Sequence, residues 1–159
     1  MSEYETLITS LALTMGASWA SGINLYAVLL VLGIGSATNN IQLPAELSVL
    51  SNPFVIGAAA IMYAIEFFMD KVPGLDSVWD SIHTFIRIPA GALLAVGTVG
   101  DVTPALEIAA GILGGGVAAT THATKAGTRL MLNTSPEPVS NWTASISGDF
   151  LVLGGLWTA

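Results

Sequence analysis

The sequence predicts an all-α fold, a polytopic transmembrane helical bundle, and three observations carry that prediction. Only 9% of the 159 residues are charged, against about 25% in an ordinary soluble domain. Mean hydropathy is +0.73. Ionisable residues also leave long gaps: from Thr6 to Ala45 nothing titrates except Tyr26, and from Leu47 to Ile65 nothing except Tyr63. Further uncharged runs are Ile88–Gly100, Ile108–Thr121 and Phe150–Ala159. Too little charge is present to dress a soluble surface. Four bases against eleven acids, a net charge of −7, exclude a nucleic-acid binder. Without cysteine there is no disulfide framework, thiolate nucleophile or Cys-ligated zinc. The acidic start, Ser2-Glu-Tyr-Glu5, is the opposite of the basic region that opens a targeting peptide.

Span lengths set the elements. Thr6 to Gly35 is 30 residues, about 45 Å as one helix, where a straight span needs about 20 residues. Gly16-Ala-Ser-Trp-Ala-Ser-Gly22 lies in its middle, and glycine and serine weaken a helix. The expectation is a broken or re-entrant helix, Thr6–Met15 followed by Ile23–Gly35. Pro53–Met69 reads as a short span stopped by Asp70-Lys71 and Pro73-Gly74. Ser77-Val-Trp-Asp80 fits a capping box. At 100° per residue, Asp76, Asp80, His83 and Arg87 share an arc of about 60° opposite Leu75, Val78, Trp79, Ile82, Phe85 and Ile86. That pattern predicts an interfacial amphipathic helix over 75–87, followed by a span over 88–100 with Pro89 near its start. Asp101-Val-Thr-Pro104 predicts a turn that opens the next helix at Pro104. Pro104 to Asn133 is again 30 residues, and Gly114-Gly-Gly116 interrupts it; the glycines either break the helix or admit another backbone.

The two long stretches are compatible with an internal repeat. Laid 99 positions apart, Leu7, Gly16 and Ala20 meet Leu106, Gly115 and Ala119, and Ser51-Asn52 and Ser140-Asn141 follow in each half. Paired, Gly-interrupted segments are the pattern of repeat-built transporters. The domain reading is one membrane domain over 1–159, with halves 5–70 and 104–159 joined by the helix over 75–87 and the span over 88–100.

Four motifs in order are Gly16-Ala-Ser-Trp-Ala-Ser-Gly-Ile-Asn-Leu-Tyr26, Glu66-Phe-Phe-Met-Asp-Lys-Val-Pro-Gly-Leu-Asp76, His83-Thr-Phe-Ile-Arg-Ile-Pro-Ala-Gly91 and Thr121-His-Ala-Thr-Lys-Ala-Gly127. With them the chain resembles, over nearly its whole length, the bacterial membrane family called domain of unknown function 4126. The resemblance implies a small, multi-pass inner-membrane protein and assigns no catalytic residue.

Candidate site residues therefore rest on their chemistry. His122, Lys125 and Arg129 share one helical stripe, with Thr121, Thr124 and Thr128 nearby. They read as an anion site with a histidine able to change protonation, or as bases snorkelling to lipid phosphates, above all Arg129 beside Ser135-Pro-Glu-Pro138. Glu66 lies between Ala64-Ile65 and Phe67-Phe68, where a carboxylate must be protonated, paired or facing water; Lys125 or Arg129 is its expected partner, and Asp70 with Lys71 reads as a boundary pair. Asp76, Asp80 and His83 have metal-like spacing, but capping and a solvated face explain them more simply, and no metal or cofactor is expected. Glu107 suits the first turn of its helix. Asn133-Thr-Ser135 and Asn141-Trp-Thr143 match the glycosylation sequon, without meaning in a bacterial inner membrane. Ser18, Ser21 and Asn24 share a face at the expected break, as pathway lining or as small-residue packing.

The functional expectation is a small transporter or channel for an ion or small polar solute, lined by Ser21, Asn24, Glu66, His122, Lys125 and Arg129. It is expected to act as a homo-oligomer in the lipid bilayer. The alternatives are an intramembrane enzyme acting on a phosphorylated lipid, and an assembly protein without chemistry. Lys71 and Arg87 flanking the helix over 75–87 place that helix on the cytoplasmic side by the positive-inside rule.

Overall fold

The structure is a computed structural model that describes residues 3–134 and 138–158. Five α-helices make the bundle: α1 Glu3–Ala37, α2 Pro53–Met69, α3 Leu75–Val99, α4 Pro104–Leu132 and α5 Pro138–Thr158. A short 3-10 helix, Ala45–Ser51, precedes α2 and meets it at 67°. Among the described residues, three helices are long and apolar enough to cross a membrane, or four if the bent pair forms one span. The expected exit at Ser135-Pro-Glu-Pro138 falls on residues 135–137, outside the described residues.

Helix α1 is the hub and packs against all four others. Its small residues explain this: Ala17, Ala20 and Ala27 have no exposed surface, and small side chains let helices approach closely without a hydrophobic driving force. The same device fastens α3 to α4. A Cβ on Gly114 would collide with Ala95, and would stand 2.8 Å from both the Gly91 carbonyl and Ser18 Oγ. Gly22 faces Thr121 and the Ala118 carbonyl as tightly. The triple glycine therefore admits a neighbouring backbone, and α4 runs unbroken through it. Asn52 caps α2 by accepting from the Phe54 amide at 2.9 Å, whereas Ser140-Asn141 lies inside α5. Pro104 occupies the first turn of α4 with Thr103 as its N-cap, and Glu107 follows in that turn, as expected.

Two sequence expectations need correction. First, α1 stays helical through Ala17–Gly22 and departs from helical geometry at Asn24 (φ −148°, ψ 94°). Gly and Ser there serve packing; the break belongs to a side chain that replaces a backbone acceptor, as shown below. Second, the segment over 75–87 is not a separate interfacial helix. It is the first half of α3, which continues through Pro89 to Val99. Its faces are also inverted relative to that expectation: Asp76, Asp80, His83 and Arg87 are buried while Val78, Ile82 and Phe85 are exposed. The capping box does not form, because α3 begins at Leu75 behind Gly74, whose φ of +89° makes the turn. Asp76 Oδ1 instead accepts from the Gly74 and Ser77 amides.

The bundle as a whole is apolar outside, and its interior holds these charges beside an apolar core that includes Leu25, Val28, Leu32 and Leu94. Arg87, Glu66 and Asp76 have no exposed surface, whereas Phe54 is 89% exposed and Phe85 83%. A soluble surface does not present such a continuous apolar exterior over a charged interior. Hydrocarbon outside and ion pairs inside is the arrangement a bilayer selects.

Candidate functional site

The site begins with the break in α1. In an unbroken helix the Ala27 amide would donate to the Ile23 carbonyl. Here it donates to Asn24 Oδ1 at 3.0 Å, so Asn24 acts as the N-cap of the second half of α1, in the extended geometry such a cap adopts. The Ile23 carbonyl is thereby released, and Lys125 Nζ donates to it at 2.9 Å. Asn24 Nδ2 donates to Asp149 Oδ1 on α5 at 3.0 Å. One asparagine thus ties together the break, a lysine from α4 and a carboxylate from α5.

From Lys125 the network runs to the end of α2 and the first half of α3. Lys125 Nζ also donates to Glu66 Oε1 at 3.2 Å and to Asp70 Oδ2 at 2.9 Å, with Asp80 Oδ1 at 3.7 Å. Arg87 donates to Glu66 Oε1 and, at 3.0 Å, to Asp80 Oδ1. Arg129 donates to the Asp70 carbonyl and, at 2.8 Å, to Asp70 Oδ2, with Asp76 Oδ2 at 3.7 Å. Burial alone would raise the Asp70 pKa, but the neighbouring Lys125 and Arg129 cations outweigh it and hold this carboxyl below its ordinary value. Lys71 is also buried; its ammonium lies over the Phe67 ring and reaches the Phe67 carbonyl at 3.0 Å and Ser145 Oγ at 3.4 Å. Burial lowers the Lys71 pKa, opposed by Asp149 and Asp70.

His122 is fixed by its partners. Arg87 can only donate, so His122 Nδ1 accepts from it at 3.0 Å. Nε2 therefore carries the hydrogen and donates to Thr84 Oγ1 at 2.8 Å and the Asp80 carbonyl at 3.1 Å. The ring is a neutral strut between α3 and α4. Beside it, His83 stacks on Trp79, donates from Nδ1 to the Trp79 carbonyl at 2.9 Å, and meets the Tyr26 hydroxyl at 3.0 Å.

A cleft of about 470 Å³ between α1, α4 and α5 reaches this network. Lys125, Arg129, Ser145 and Asp149 lie in its wall, with Thr121, Thr124 and Thr128 along α4. A smaller cleft of about 160 Å³ between α2 and α5 shares Asp149 and adds Tyr63.

Of the residues expected from sequence, Glu66, Lys125 and Arg129 converge directly, and His122 joins them through Arg87. Glu66 pairs with Lys125, as one of its two expected partners; Arg129 pairs with Asp70 instead. Arg129 is 3% exposed, so it does not snorkel, and Asp70, just past the end of α2 as expected, is buried against it rather than facing water. Ser21 is buried but donates to the Ser18 carbonyl at 2.8 Å, apart from the ions. The anion-site reading meets an obstacle in donor supply: the three Lys125 N–H groups have three acceptors already. Among the described residues the free capacity lies mostly with the acids: Glu66 Oε2, Asp70 Oδ1, Asp76 Oδ2, Asp80 Oδ2 and Asp149 Oδ2 accept no hydrogen bond, against one unpartnered cationic donor, Arg87 Nε. All four bases of the chain lie in or beside this network. Of the two bases behind the positive-inside argument, Lys71 lies in the turn between α2 and α3 but is buried, and Arg87 is buried within α3. Sequence reasoning missed Arg87 as a partner of Glu66 because its polar face was assigned to water, and missed Asp149 because one acid in an apolar run has no spacing to mark it.

The fold and site define a class: an all-helical chain with membrane-span-length helices, an apolar exterior and a buried network of ion pairs. The chain belongs to the family described as Domain of unknown function (DUF4126), whose model matches residues 11–159. No curated protein and no solved structure matches it.

Proposed function

We propose that the protein is a small multi-pass transporter or channel of the bacterial inner membrane, which moves an ion or small polar solute past the buried charged network. One observation carries this reading: every basic side chain is drawn into a buried cluster with five acids, beneath an apolar exterior and against an open cleft. Ionisable groups at membrane depth are costly and are retained along ion and proton pathways. The unpaired carboxylate oxygens favour a positively charged occupant. They outnumber the one unpartnered cationic donor, Arg87 Nε, and so disfavour the phosphorylated-lipid enzyme, which needs spare donors. A homo-oligomer is part of the reading, supported by exposed glycines such as Gly57 and Gly127, where an added Cβ meets nothing within 4 Å.

The test is flux in proteoliposomes against a panel of protons, sodium, potassium, chloride and phosphate, with protein-free liposomes as reference. Cation or proton flux above that reference supports the reading. No flux of any panel member, at verified incorporation and fold, overturns it.

A further inference from the structure

The buried network does not balance. Its acids are Glu66, Asp70, Asp76, Asp80 and Asp149, and its bases are Lys71, Arg87, Lys125 and Arg129, so it carries one formal negative charge in excess. A lone buried charge is expensive, and the usual remedy is to take up a proton. Four of the acids have a cationic nitrogen within 3.7 Å. Asp149 alone among them has none within salt-bridge distance among the described residues. The residue is 8% exposed and lines both clefts, its Oδ1 accepts from the neutral Asn24 amide, and its Oδ2, itself closed off from solvent, has no hydrogen-bond partner among the described residues.

We propose that Asp149 is a proton-binding site, and that one proton, taken up by its carboxyl from water entering through the adjoining cleft, supplies the missing positive charge. The step is simple acid–base chemistry: the carboxylate gains a proton from water and becomes a carboxylic acid, and the reverse releases it. A metal cation is a poor occupant, because no cluster of three or more acidic or histidine side chains suited to a metal occurs among the described residues. The groups facing Asp149 are accounted for. Helix α1 contributes the neutral Asn24, α2 contributes Tyr63, with Asp70 and Lys71 just beyond its end, and α4 contributes Lys125 and Arg129 across the larger cleft. Lys71 Nζ is bonded to Ser145 Oγ, one turn before Asp149 on α5. Asp149 has leverage on the site through Asn24: it orients the amide whose Oδ1 takes the Ala27 amide, and that substitution releases the Ile23 carbonyl to Lys125. Occupancy of the proton site is thereby linked to the break in α1 and to the ammonium at the centre of the network. The inference rests on the proposed transport reading for its purpose, but proton binding is measurable without transport.

The experiment is pH-difference infrared spectroscopy of the full chain in lipid nanodiscs, reading the carbonyl stretch of protonated carboxylic acids. Above about pH 6, where ordinary carboxyls are ionised, the wild type is expected to show one such titrating band per chain. That band should move when aspartate is labelled with carbon-13 at its carboxyl, vanish in Asp149→Asn, and shift in frequency in Asn24→Ala. The label needs no variant, so the proposal stays testable if Asp149→Asn does not fold. A band that ignores the aspartate label, or that persists in a folded Asp149→Asn protein, overturns the proposal. Absence of any titrating band overturns it as well. Flux measured on the same preparations separates the two claims: flux without the band refutes the proton site alone, and the band without flux refutes transport alone.

Discussion

Replacing Arg87 by methionine removes a guanidinium that has no exposed surface and serves three acceptors: Glu66 Oε1, Asp80 Oδ1 and His122 Nδ1. Glu66 keeps Lys125 at 3.2 Å, but Asp80 is left with Lys125 at 3.7 Å, and His122 Nδ1 loses its donor. Breaking a buried ion pair from one side costs about 3–5 kcal/mol, a change of roughly two to four orders of magnitude in the folding equilibrium. Glu66→Gln is milder, at about 1–3 kcal/mol. Its amide oxygen still accepts from Arg87, and it removes an acid from a network with an acid to spare. In the double variant the losses should fall short of additivity by about 0.5–3 kcal/mol, because the two side chains touch. Unfolding in mixed micelles with increasing sodium dodecyl sulfate, followed by circular dichroism, measures all three. Equal single losses that add without remainder would refute the pairing and the charge count behind it.

Three more outcomes follow from the packing and the ion pairs. Asp70 has a depressed pKa, so its contribution to stability is complete above the ordinary carboxylate value of about 3.9 and is lost as pH falls through the lower, folded-state value; the acid side of a stability–pH curve should flatten in Asp70→Asn. Gly114→Val should cost about 1–3 kcal/mol or more by overpacking, whereas Gly116→Val, where an added Cβ meets nothing within 4 Å, should leave the unfolding midpoint nearly unchanged; equal effects would contradict the close approach of α4 to α3. Asn24→Ala removes the internal cap of α1, which is worth about 0.5–2 kcal/mol, and lets Ala27 return to the Ile23 carbonyl. Spin labels at Leu11 and Ile34 should then move apart as α1 straightens, and an unchanged distance would contradict Asn24 as the cause of the break.

Much of the fold was legible because apolar length and proline placement are local signals. Pro53–Met69 and the start of α4 at Pro104 follow from them directly. The faces of α3 were legible in periodicity but not in sign. An amphipathic stripe says that polar and apolar groups are separated, and only the bilayer decides that the apolar side looks outward. The break in α1 was expected from its length but placed at the glycines. Its cause, a side-chain cap at Asn24 held by Asp149 across 125 positions of sequence, needs tertiary contact. Glu66 and Lys125 could be paired from sequence because an isolated charge in hydrocarbon demands a partner. Asp70, Asp80 and Arg87 looked satisfied as surface groups, and nothing local contradicted that.

The central claim is that the buried network is a pathway for positive charge, and proton flux into proteoliposomes under a potassium diffusion potential tests it most directly. The wild type should acidify or alkalinise the lumen according to the sign of the potential. Asp149→Asn and Glu66→Gln, incorporated equally and shown to be folded, should fall to the rate of protein-free liposomes. A wild-type protein that conducts no ion, or variants that conduct as well as the wild type, would contradict the claim.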